Sequence, residues 1–151
     1  MSTPTDFLAL AHRIVWCTLA TVDARGRPRS RLVHPVWELT PQGLLGRVAT
    51  RATPTKRAHL AASPYASCSY WDSEHDVAVA ECAAEWDPDP AASWPHFARP
   101  DPPLGFDPAA MFPGGLADPQ AAVIVLRPWR LRWAHAADLR AGRPHTVWRA
   151  S

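Results

Sequence analysis

A chain of 151 residues suffices for one domain with a single sizeable core and is too short for two enzyme-sized domains. Hydrophobic residues at 47% and charged residues at 20% are ordinary globular usage, which excludes a disordered chain. The net charge of +2 is too small to argue for nucleic acid, and the longest aliphatic run, residues 121–126, is far too short to span a bilayer.

Thr5 and Asp6 ahead of Phe7, Leu8 and Leu10 predict a capped opening helix that ends near Arg13. Residues 7–11 are too brief for the apolar stretch of a secretory leader, and His12 and Arg13 close them off, so a cytoplasmic protein is expected. Residues 14–22, β-branched and aromatic with few breakers, predict a buried strand. Asp23-Ala24-Arg25-Gly26 reads as a tight turn with glycine where φ must be positive. The chain then returns along a second strand at 27–38, with Arg27, Arg29, Arg31 and Val33 on one face and Ser30, Leu32, His34 and Val36 on the other. Thr40-Pro41-Gln42-Gly43 turns into a third strand at 44–49.

Thr53 as a cap and Pro54 in the first turn predict a helix that runs to Ala62 and stops before Ser63-Pro64. Strands at 66–71 and 76–86 follow, joined by the polar turn Asp72-Ser73-Glu74-His75. Many of the seventeen prolines fall within 88–119, a long connection with short helices near 91–97 and 108–112. Residues 121–126 and 130–135 read as the last long strands, with Pro128 bending the chain between them. No internal repeat is visible. The expected architecture is one domain over 1–151: a mainly antiparallel sheet of six or seven strands, helices at its rims, in a closed or split barrel.

Chemistry concentrates where the third strand ends and the second helix begins. Thr50 and Thr55 offer hydroxyls there, and Lys56, the only lysine beside fifteen arginines, offers a compact charge. The unpaired N–H groups and dipole of a helix start suit a phosphate, although the same run also reads as a capped helix with solvated basic residues. Arg29 and Arg31 share a strand face, which is either solvated or crossed by an anion. Leu32, Val33 and Val36 beside them suit a flat ring. The three cysteines are odd in number without CxxC spacing, and none of the seven histidines pairs at ligand spacing, so neither a disulfide framework nor a metal site is expected. The chain carries no Ser/His/Asp constellation, paired-carboxylate motif or glycine-rich nucleotide loop.

The order Gly26-Arg27-Pro28-Arg29-Ser30-Arg31-Leu32-Val33-His34-Pro35-Val36-Trp37, then Val48-Ala49-Thr50 and Lys56-Arg57-Ala58-His59-Leu60-Ala61-Ala62-Ser63-Pro64, resembles the FMN-binding split-barrel superfamily. More narrowly it resembles the pyridoxamine 5'-phosphate oxidase-related proteins of actinobacteria, a branch also suggested by Cys68-Ser69-Tyr70-Trp71-Asp72 and by Val79 to Trp86. The resemblance implies an antiparallel FMN-binding split β-barrel that works as a homodimer, with flavins in grooves between subunits. Carried over, Arg31, Leu32 and Val33 line ring and phosphate, Thr50 closes the third strand, and Thr55 with Lys56 holds the phosphate. The six-residue step from Thr50 to Lys56 matches the family's threonine-to-lysine step.

Two departures argue against true pyridoxamine-phosphate oxidation. The family's substrate lysine falls on Val36, and its C-terminal Arg-Leu-His segment has no clear counterpart between Asp138 and Pro144. His34, Trp37 and Trp129 are further candidates for the flavin neighbourhood, His34 also reading as an ordinary hydrogen-bonded strand histidine. Three functions follow: an FMN-dependent oxidoreductase, a reductase using the deazaflavin coenzyme on the same fold, or a non-catalytic FMN-binding sensor. The connection at 88–119, with Trp94, Phe97, Phe106, Met111 and Phe112, is expected either to cover the cofactor mouth or to be a surface loop pinned by its own aromatics.

Overall fold

The computed structural model describes residues 3–151. Helix α1 (Pro4–Ile14) starts earlier than the Thr5–Asp6 signal, with Thr3 as the cap residue and Pro4 in the first turn. It also takes Ile14 from the predicted first strand. Val15, at φ +75°, turns the chain, and β1 (Cys17–Val22) begins two residues later. Phe7, Leu10 and Ala11 are the buried face of α1, and the Phe7 ring stands edge-on to Trp37 and Tyr70. The turn after β1 is the predicted one. Gly26 has φ +76°, and Asp23 Oδ1 accepts from the amides of Arg25 and Arg27 before β2 (Pro28–Val33) begins.

The predicted strand at 27–38 is two strands. His34-Pro35 interrupts it, since proline has no N–H for a ladder, and β3 (Val36–Thr40) resumes with different partners. β2 pairs with β1, whereas β3 pairs with β4 (Gly43–Arg51). After α2 (Pro54–Ala62) come β5 (Tyr65–Trp71), β6 (Val77–Trp86), the short α3 (Pro90–Ser93), β7 (Ala121–Ala134), α4 (Ala136–Arg140) and β8 (Thr146–Arg149). All pairings are antiparallel, in the order β2-β1-β5-β6-β7-β4-β3, with β8 added to β7. The two ends of that path, β2 and β3, are joined by only two residues. The sheet must therefore curl until its ends meet at the His34-Pro35 corner without hydrogen-bonding there. The fold is an antiparallel split β-barrel with peripheral helices.

Two predicted strands at the C-terminal end are one. β7 runs unbroken through Pro128 because β6 shifts register between Glu81 and Cys82, opposite the proline. The predicted helices of the proline-rich connection are α3, the 3-10 turn Trp94–Ala98 and a shorter one at Pro108–Ala110. α4 and β8 gave no signal in the sequence reading. The barrel interior is filled by Leu19, Val33, Trp37, Val48, Tyr70, Leu126 and Leu131, with the Trp37 indole donating to the Tyr70 hydroxyl at 2.8 Å. Cys17, Cys68 and Cys82 are free thiols in the same core. A second cluster of Val36, Ala49, Phe97 and Val123 seats the proline-rich connection, with Trp94 and Phe106 packed on it. No helix among the described residues is long and apolar enough to cross a membrane.

Asp76 ties three elements together at the far end of the barrel. Its carboxylate meets Arg13 of α1 at 2.7 Å and His135 at 3.1 Å, and it accepts the Ala136 amide that opens α4 at 2.8 Å. The Ala136 amide first, then His135 and Arg13, hold its carboxyl below the usual range. A depressed carboxyl stabilises the fold fully above pH ~4 and loses that contribution as pH falls through the folded value. An Asp76→Asn protein should melt about 2–4 °C lower at pH 7. The gap to the parent should close below pH ~4, where the parent's own carboxyl takes up a proton. A constant gap from pH 7 to pH 3 in thermal melts would show that charge plays no part.

Candidate functional site

The strand-to-helix junction flagged in the sequence is built from local chemistry. Thr50 ends the buried part of β4, and Thr53 caps α2 by accepting the Lys56 amide at 3.3 Å. That geometry brings Lys56 back over the strand, where its ammonium donates to Thr50 Oγ1 at 2.5 Å. Arg31 arrives from β2, its Nη1 donating to Thr21 Oγ1 at 2.9 Å. Between these residues and the proline-rich connection lies a cavity of about 690 Å³. The barrel side contributes Arg31, Leu32, Val33, His34, Ala49, Thr50, Arg51, Thr53 and Lys56, with Trp16 beside them. Pro103, Phe106 and Met111 of the connection supply the remaining wall, so this segment does lie over the site.

No aspartate or glutamate lines the cavity, and among the described residues neither Arg31 nor Lys56 has a carboxylate partner. Burial first, then the charges of Arg31 and Arg51, push the Lys56 ammonium below its ordinary value. Burial and then Arg29 do the same to Arg31. Arg51 is partly engaged: it lies 3.5 Å from Asp118, donates to the Met111 carbonyl at 2.9 Å and stands 5.0 Å over the Phe112 ring. Cations held by neutral groups in an acid-free, half-buried cavity are poised for an anion.

Five of the six sequence candidates, Arg31, Leu32, Val33, Thr50 and Lys56, meet at this cavity. Thr55 does not. It is exposed, and Thr53 lines the cavity in its place. Residues turn about 100° apiece on a helix, so Thr55 points well away from the side of Lys56. Trp37 is buried beneath Phe7 and Tyr70, and Trp129 is partly exposed on β7; neither reaches the cavity. Trp16 and Arg51 are lining residues the sequence reading did not assign to it, whereas Phe106 and Met111 belong to the connection that one of its two readings set over the cofactor mouth.

His34 does reach the cavity, though from outside any strand. It sits at the break between β2 and β3, stacked on Phe106 at 4.8 Å and tilted against Trp16 at 5.1 Å. Its Nε2 is buried without a partner. Burial lowers the proton affinity of the ring, against an opposing pull from the Leu104 backbone. His34 thus fastens the connection to the barrel corner.

The chain matches no protein-family model and no curated protein. Solved structures do share its fold. A pyridoxamine 5'-phosphate oxidase-related, FMN-binding protein from Nostoc punctiforme superposes over 97% of this chain and 94% of its own, with a TM-score of 0.61 and 16% identity. An F420 reductase aligns over 87% of this chain and 96% of its own, with a TM-score of 0.60 and 24% identity. A heme-binding protein from Mycobacterium smegmatis aligns over 99% of this chain but 58% of its own, with a TM-score of 0.69 and 18% identity. At these identities the likeness establishes the split-barrel fold, and FMN, F420 and heme are each named with it. The choice among them rests on the residues of the cavity.

Proposed function

We propose that this cavity binds FMN and that the protein is a flavin-dependent oxidoreductase of the pyridoxamine 5'-phosphate oxidase-like kind. The carrying observation is the meeting of Arg31 and Lys56, both without carboxylate partners, with apolar Val33, Ala49 and Phe106 in one cavity of cofactor size. Lys56, Arg31, Thr50 and Thr53 would hold the phosphate, and Leu32 and Val33 would lie against the ring. Bound flavin supplies the redox chemistry, while the chain binds, orients and shields it. Val36, buried against Phe97 and Val123, stands where a true pyridoxamine-phosphate oxidase would have its substrate-binding lysine, so that substrate contact has no counterpart here.

Heme fits the cavity poorly. An axial ligand is needed, yet the His34 ring is packed against Trp16 and Phe106 with Nε2 occluded, and no cysteine or tyrosine lines the cavity, which leaves Met111, a weak ligand on the connection, as the one side chain able to serve. The deazaflavin coenzyme is the second reading, favoured by Arg29 and Arg51, cations beyond what one phosphate needs. Homodimerisation belongs to the same proposal, because Leu32 and Trp16 line the cavity while remaining 74% and 56% exposed, and a second copy would cover them. We place the activity in the cytoplasm, in keeping with three unpaired thiols.

One preparation tests these points. The visible spectrum of the purified protein should show flavin bands; a deazaflavin band selects the second reading, and a Soret band overturns both. Light scattering should give twice the 16.6 kDa chain mass, and a flavin-holding monomer at micromolar concentration would refute the dimer. Turnover with a reduced nicotinamide and an acceptor separates an enzyme from a sensor.

A further inference from the structure

The Arg31 guanidinium reaches the cavity with the support of two buried residues that do not line the cavity. Its Nη1 donates to Thr21 Oγ1 at 2.9 Å, Thr21 Oγ1 lies 3.0 Å from His59 Nδ1, and Arg31 Nη2 lies 3.5 Å from that same nitrogen. The direction of each bond follows from chemistry. A guanidinium has no lone pair to offer, so Arg31 donates in both of its contacts; Nδ1, facing Nη2, is then the acceptor, and the Thr21 hydroxyl beside it donates to Nδ1 as well. Nδ1 is then the bare nitrogen of a neutral His59 ring, whose proton sits on Nε2. Thr21 is 4% exposed and His59 5%, so neither has bulk water as an alternative partner.

The fold explains how the three meet. Thr21 stands opposite Arg29 in the β1–β2 ladder, one inward position along from Arg31. His59 follows Lys56 by three residues on α2, on the same side of the helix. One helix thus delivers Lys56 to the cavity and His59 to the back of Arg31. Both supports are neutral. They fix the guanidinium without cancelling its charge, as a carboxylate in the same place would.

We propose that Thr21 and His59 are positioning residues for the anion of the bound cofactor, aiming an un-neutralised Arg31 into the cavity. This rests on the reading of the cavity as a site for FMN phosphate. Thr21 and His59 act through Arg31 rather than on the ligand, so losing one should cost less than losing the charge itself, about threefold to tenfold in affinity.

The test is FMN affinity by flavin fluorescence in a small set of variants. His59→Leu and Thr21→Val should each bind FMN about threefold to tenfold more weakly. His59→Asn, which keeps an acceptor near the place of Nδ1, and Thr21→Ser, which keeps the hydroxyl, should stay close to the parent. In an Arg31→Met background, Thr21→Val should cause no further loss, because the group it positions is gone. A purely structural role predicts instead that losses add and that the conservative variants give no rescue; either result overturns the proposal. Thr21→Val is nearly isosteric, so it carries the test should His59→Leu fail to fold. Arg31→Met and Lys56→Ala separate the two levels. If they leave FMN affinity unchanged, the cavity reading itself fails; if they weaken it while Thr21→Val and His59→Leu match the parent, only the positioning role fails.

Discussion

A Lys56→Ala protein should bind FMN at least about tenfold more weakly, yet melt no lower than the parent when free of ligand. The two halves of this expectation share one cause. The ammonium is half-buried, it donates to the Thr50 hydroxyl, and Arg31 and Arg51 lie close enough to disfavour its charge. With a folded proton affinity below that of the free side chain, the charged lysine costs stability at neutral pH. That cost disappears only as pH rises past the ordinary lysine range near pH ~10. Removing the charge therefore relieves the empty protein and deprives the ligand. Lys56→Met keeps the aliphatic stem and should reproduce both effects, which separates charge from packing. Melting curves at pH 7 with and without saturating FMN check the pair. Unchanged flavin affinity in a folded Lys56→Ala protein would remove the residue from the site, whatever its melting temperature.

The junction that carries Lys56 was legible because its signals are local. Thr53-Pro54 caps and starts a helix from within four residues, and the structure has that helix at Pro54–Ala62. The break at His34-Pro35 was missed although Pro35, with no N–H for a ladder, is a local sign of it. What nothing nearby encodes is that β2 and β3 find partners at opposite ends of the sheet. Pro128 misled in the opposite sense. Its missing donor looked like a bend, yet a register shift in β6, which nothing near Pro128 encodes, lets β7 run straight on.

The site divides the same way. Arg31 and Lys56 stood out by type and spacing, whereas Thr55 was carried over from the resemblance, although the helix start at Pro54, read correctly, already turns it away from the side of Lys56. The aromatic wall was the least visible part. Eight tryptophans and four phenylalanines gave candidates in excess, and only the fold brings Trp16 from just before β1 and Phe106 from the connection against the one ring of His34.

That wall hangs on Gly105, and replacing it with alanine should lower the melting temperature by roughly 4–8 °C. The glycine is not held at positive φ, so the cost comes from contact. A Cβ there would lie 1.7 Å from the Pro100 carbonyl oxygen, a backbone atom that cannot swing aside. The turn it closes is held by the Gly105 amide on the Asp101 carbonyl at 3.0 Å and by the Phe106 amide on the Phe97 carbonyl at 2.9 Å. Opening the turn shifts the buried Leu104 and moves Pro103 and Phe106, so His34 loses its stacking partner and the cavity its far wall. Gly114, in the same connection, is the control. A Cβ on it meets the nearest backbone atom at 3.4 Å, ordinary contact, so Gly114→Ala should melt within about 2 °C of the parent. Flavin affinity should follow the same order, reduced in Gly105→Ala and unchanged in Gly114→Ala. Equal melting temperatures for the two variants would mean that the turn is not packed against the barrel in solution, and that the connection is a surface loop after all.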